Sequence, residues 1–135
     1  MTNIRCIART WALALDADDF AGAAALMSPG CTYVLRKQTL RGVTDILASY
    51  RTSTESAHAA FDEVTYDSNV QDVSDLSATI RYTDCLRKGA HRLEHVCEQK
   101  VYIDAEGRIV RIVHVDLDGE ADRLRAFLDL TGVDL

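Results

Sequence analysis

Proline is nearly missing from this chain: Pro29 is the only one in 135 residues. No stretch is low-complexity and none has the composition of an interdomain linker, so residues 1–135 read as a single domain around one core. No apolar run approaches the roughly 18–20 residues of a membrane-spanning helix. The opening MTNIRCIART lacks the uninterrupted apolar stretch of a secretion signal. Positive charge is in the minority: 15 Lys and Arg against 21 Asp and Glu give a formal charge of −6. No basic stripe offers itself to nucleic acid, and an anionic membrane would repel such a surface. Cys6, Cys31, Cys85 and Cys97 include no CxxC spacing. They read as free thiols of a cytoplasmic protein.

What is present is an ordinary globular composition, 47% hydrophobic and 27% charged. Ile4, Ile7, Ala8, Trp11 and Leu15 recur at helical spacing. Asp16 or Asp18 can cap a second, shorter helix, DDFAGAAALM, which the SPG at 28–30 would end. CTYVLRKQ has the content of a strand, and VTDILASYR returns to helical spacing. From about residue 61, four strand-like segments follow one another, separated by polar or glycine-bearing turns. EADRLRAFLDL closes the sequence as an amphipathic helix over about 119–131, with Leu124, Phe127 and Leu128 on one side and Gly132 as its stop. Helices first and an antiparallel sheet afterwards make the class α+β, with helices covering one sheet face.

Turn chemistry predicts the register of the last three strands. DAEG at 104–107 reads as a turn closed by a left-handed glycine, which sets Glu98 opposite His114 and Cys97 opposite Val115. A tight turn at Lys88-Gly89 sets Leu86 opposite His91, Asp84 opposite Leu93 and Tyr82 opposite His95. One face then carries Ile80, Tyr82, Asp84, Leu86, Leu93, His95, Cys97, Val101, Val113 and Val115. The other carries Arg81, Glu94, Glu98, Lys100, His114 and Asp116, with Val96, Tyr102, Val110 and Ile112 as an apolar patch. His95 and Cys97 are thereby separated from His114 and Asp116. His91 and His95 stand about 13 Å apart at strand rise. No converging set of four metal ligands results, so no metal is expected.

Tyr82, Asp84 and His95 are the polar members of an otherwise apolar face. Buried polar groups need partners, since leaving one unpaired costs about 1–3 kcal/mol. The three can satisfy one another, or act as acid, base and carbonyl polariser. Trp11, Tyr33 and Tyr50 read as core aromatics that can also wall a pocket, together with Ile80, Leu93, Cys97 and Val113.

The order of elements resembles the nuclear transport factor 2-like superfamily, including its SnoaL-like members, over about residues 3–117. LRGVTDILASYR is similar to its Gly-x-x-x-Ile helix after the first strand, and GRIVRIVHVDL to its last strand ending in Asp. The resemblance implies N-terminal helices on a strongly curved mixed or antiparallel sheet, a cone-shaped barrel enclosing a pocket, and homodimers. It implies a cofactor-independent isomerase, dehydratase or cyclase acting on a mostly apolar small molecule. In that case His95 is the base, Asp84 its partner and Tyr82 a donor to a developing oxyanion. The alternative is a non-catalytic ligand-binding or scaffolding domain that pairs with a second copy through the outer sheet face. The ketosteroid isomerase pattern finds neither its tyrosine at Trp11 nor its aspartate in Tyr33-Val34-Leu35-Arg36. The epoxide hydrolase pattern finds Asp84 and Asp116, but Tyr82 where its arginine would stand.

Overall fold

The computed structural model describes residues 3–135. Helix α1 (Ile4–Asp16) starts at Asn3, whose side chain accepts from the Cys6 N–H, and it buries Ile4, Ala8, Trp11 and Ala12. Helix α2 (Phe20–Ala24) is capped by Asp19 rather than by Asp16 or Asp18. Its run of small residues stops at Ala24 because the chain turns extended at Met27. Strand β1 (Met27–Leu35) absorbs Ser28, Pro29 and Gly30 instead of being preceded by them. The three lie where the ladder is irregular, between Met27 and Thr32, a place where a proline without an N–H costs no ladder hydrogen bond.

Strand β2 (Gln38–Arg41), helix α3 (Val43–Ala60) and strands β3 (Glu63–Val73), β4 (Ser77–Lys88), β5 (His91–Ile103) and β6 (Ile109–Asp116) follow. Helix α4 (Glu120–Thr131) is stopped by Gly132 at φ +73°, a left-handed position that favours glycine. The six strands form one sheet in the order β2-β1-β6-β5-β4-β3. Every neighbouring pair is antiparallel except β1 and β6, which run parallel. The sheet curls without closing, so the expected barrel is an open one. Helices α1 and α3 pack on its concave face; α1 lies on β3 and β4, and α3 on β1. Trp11, Met27, Ile46, Ile80, Val101, Ile109 and Ile112 are all nearly or fully inaccessible there. A second cluster forms where Phe127 of α4 meets Phe61, Val64 and Leu86, with Leu93, Leu124 and Leu128 packed around it.

Two registers differ from expectation. The β4–β5 loop is Gly89-Ala90, so Lys88 faces His91, Leu86 faces Leu93, Asp84 faces His95 and Tyr82 faces Cys97. A shift of two residues keeps every side chain on its face but changes its opposite number. Between β5 and β6 the change is larger. Ile103 faces Ile109 while Tyr102 faces Arg111, which leaves Val110 as an extra residue in a bulge. Ile109 and Ile112 are both fully buried, yet three residues apart they would fall on opposite faces of a regular strand. One extra residue lets both go inward and keeps Arg111 out. From there onward the faces exchange: Gln99 meets His114 and Cys97 meets Asp116 on the concave side. Val113 and Val115 turn to the outer face opposite Lys100 and Glu98. Ile112 thus leaves the outer apolar patch. Glu98 pairs with Arg81 at 2.8 Å rather than with His114.

Residues 91–96 of β5 run on past the end of β6. There α4 takes over: the Val96 N–H donates to the Glu120 carboxylate at 3.0 Å, and Arg123 donates to the Glu94 carbonyl at 3.1 Å. No helix is long and apolar enough to cross a membrane among the described residues.

Candidate functional site

The concave face and the helices enclose a cavity of about 300 Å³, walled largely by apolar and aromatic groups. Alternation along β4 and β5 delivers Tyr82, Asp84, His95 and Cys97 to it, and Tyr33 of β1 and Tyr50 of α3 line it as well. Four other expected pocket residues lie elsewhere. Trp11 and Ile80 are fully buried in the core behind the cavity wall, and Leu93 belongs to the cluster under α4. Val113 is on the outer face because of the Val110 bulge.

Asp84 and His95 are directly opposed, so their Cβ atoms are about 5 Å apart. Burial, and then the charge of Asp16, push the Asp84 carboxyl up to about 6 from its ordinary 3.8. Burial pulls the His95 imidazole below its ordinary 6.5, against the opposing pull of Glu120 and Asp116. Asp84 accepts no hydrogen bond from any described residue. Burial raises Tyr82 well above the tyrosine range, and nearby Asp16 raises it further, so its hydroxyl keeps its proton. That hydroxyl and the Trp11 indole N–H beside it are both buried, with no hydrogen-bond partner other than each other. Burial also lifts the Cys97 thiol to about 12, which makes it an inert thiol rather than a nucleophile.

A second polar group was not anticipated. Gln99 is buried at 4% exposure and is the hinge of a network. Its carbonyl accepts from the Tyr50 hydroxyl at 2.8 Å, and its amide donates to the Tyr33 hydroxyl at 3.1 Å. The same amide nitrogen lies 3.5 Å from His114 Nδ1, and His114 Nε2 lies 2.9 Å from Asp116. His114 thus links Gln99 to Asp116 through its two ring nitrogens. Arg36, in the β1–β2 turn at φ +54°, grips Asp116 through two nitrogens at 2.8 and 3.0 Å. Burial pushes the Asp116 carboxyl up, but the Arg36 fork and His114 outweigh it and hold it below the usual range. Tyr33 and Tyr50 stack at 5.2 Å, and Trp11 meets Tyr50 edge-on at 6.1 Å. The signal for Gln99 was present in the sequence, as an amide in phase with Val101 and Ile103. His114 and Asp116 were hidden by the bulge.

No family model and no curated relative matches the chain. Solved structures do. A cystatin-like-fold protein of unknown function from Xanthomonas campestris superposes with a TM-score of 0.68 at 18% identity, over 93% of this chain and 98% of that one. An LEH-like epoxide hydrolase from M. tuberculosis gives 0.66 at 17%, over 93% and 92%. An NTF2-like protein of unknown function from Exiguobacterium sp. 255-15 gives 0.64 at 18%, over 83% and 98%. At these identities the likeness is one of fold. The chain has the nuclear transport factor 2-like, cystatin-like α+β fold.

Proposed function

We propose that the protein is a small-molecule-pocket protein of this fold that performs cofactor-independent acid–base chemistry, of isomerase, dehydratase or cyclase type, on a mostly apolar molecule. The observation that carries this reading is the direct opposition of Asp84 and His95 on the cavity wall. Their ordinary values of 3.8 and 6.5 are drawn towards each other, Asp84 to about 6 and His95 downward. Proton exchange near neutrality is easiest between groups so matched. His95, uncharged at neutral pH, takes a proton from the substrate. The imidazolium that results faces the Asp84 carboxylate, and the Tyr82 hydroxyl supplies a donor to developing negative charge. The Arg36–Asp116–His114–Gln99 network fixes Tyr33 and Tyr50 as the opposite wall.

Epoxide hydrolysis is less well supported. The bulge does turn Asp116 to the concave side, but the side chain is 41% exposed and tied to Arg36. Tyr82 still stands where that chemistry would use an arginine.

The test is an NMR pH titration of the histidine rings in the parent chain and in Asp84→Asn. If the pair is a unit, removing the carboxylate lowers the His95 pKa further, since the imidazolium loses its counter-charge. A His95 ring that titrates identically in both chains would overturn the pairing and with it the acid–base reading.

A further inference from the structure

The formal charges around the cavity are all of one sign. Asp16, Asp18 and Asp84 line it, and no lysine or arginine does. Asp84 has no hydrogen-bond partner among the described residues, and Asp16 has one, the Ser68 hydroxyl at 2.6 Å. After burial, Asp16 is the charge that raises Asp84, and Asp67 is the charge that raises Asp16. Asp16 is also the last residue of α1, a helix with no basic residue in its last turn. Helix carbonyls concentrate negative partial charge at that end, where a cation is favoured and an aspartate is not. The nearby arginines are already engaged: Arg36 on Asp116, and Arg51 over the ring of Phe20, itself part of the cavity wall, at 5.0 Å.

Buried carboxylates are normally paired, so this arrangement sacrifices stability unless a cation arrives from outside. The Tyr82 hydroxyl is buried beside the Trp11 indole N–H, and Asp16 is the charge it feels most. Asp84, largely buried and without a hydrogen-bond donor among the described residues, and Asp16 beside it on the cavity wall are acceptors for N–H groups. Beside them Phe20, Phe61, Tyr66, Leu86 and Leu124 supply apolar and aromatic surface, which suits an ammonium on a hydrocarbon body. A bare metal ion is a poorer occupant: among the described residues no three His, Cys, Asp or Glu side chains converge as ligands.

We propose that the cavity takes a protonated organic amine, its ammonium between Asp16 and Asp84 and its apolar body against Phe20, Phe61 and Leu86. This rests on the small-molecule reading above and names the substrate class for the same site. Asp84 then serves both the ammonium and His95, while Asp16 serves the ammonium and Ser68.

The experiment is calorimetric titration of the full chain with three probes of one shape: 4-phenylbutylamine, 4-phenylbutan-1-ol and 4-phenylbutanoate. The amine is expected to bind about tenfold or more tightly than the alcohol, and the carboxylate most weakly. Asp16→Asn relieves the unfavourable end of α1, so the variant folds. It is expected to cut amine affinity about tenfold and leave alcohol affinity unchanged. Equal affinity for amine and alcohol, or tightest binding of the carboxylate, would overturn the amine assignment and leave the pocket reading standing. Amine binding that Asp16→Asn does not weaken would overturn the placement of the ammonium. Failure of all three probes to bind would overturn both readings.

Discussion

Asp84 holds its proton more tightly in the fold than in the unfolded chain, because burial and Asp16 raise it from 3.8 to about 6. A group raised in this way contributes its stability below about pH 4 and loses it as the pH climbs through 6. A shift of this size corresponds to roughly 3 kcal/mol. Solvent at the edge of the group and the unpaired amide of the replacement reduce the gain from removing the charge to about 2 kcal/mol. Asp84→Asn is therefore expected to unfold at higher urea than the parent chain near pH 7.5, and at almost the same urea near pH 4. At this scale alternation alone set Tyr82, Asp84, His95 and Cys97 on one face. Asp16 was not recognisable as a cavity residue. In the sequence it looks like a cap for the next helix, and only its contact with Ser68, 52 residues away, shows otherwise.

Elements were easier to recognise than their junctions. The helical spacing of α1, α3 and α4 and the run of four late strands follow from periodicity, which is local. Register depends on where each turn begins and whether a strand carries an extra residue, and those are decided by packing on the far side of the sheet. In β6 the deciding fact is that two isoleucines three apart both find the core, with Arg111 between them. The spacing was visible; that both would be buried was not. Helix α4 has its own prediction. Phe127 is 5% exposed and meets Phe61 at 5.9 Å between ring centres, in a cluster of only four buried side chains. Phe127→Ala is expected to cost about 3 kcal/mol by thermal or urea unfolding. A loss below about 1 kcal/mol would mean that α4 does not need its anchor.

Across the whole molecule the core is divided unequally. Among the described residues, seventeen buried ones join α1, α2 and α3 to the sheet, while four form the cluster under α4. Local opening should follow that division. Hydrogen exchange in low urea is expected to release the amides of α4 and of residues 91–96 first, and the centres of β4 and β5 last. Simultaneous release would show one cooperative unit instead. The α+β class and the covered concave face could be read from the order of segments. The parallel contact of β1 with β6, separated by most of the chain, could not, since nothing local specifies it. The overhang of β5 has a consequence for neighbouring molecules. Where β6 ends, residues 91–96 of β5 would offer a free edge to the strand of another molecule. Contacts of that kind build rings when the rotation between copies closes and fibres when it does not. Glu120 and Arg123 occupy the Val96 N–H and the Glu94 carbonyl at that edge. Two charged side chains on one short helix thus stopper this stretch of β5, leaving β2 and β3 as the outer edges of the sheet.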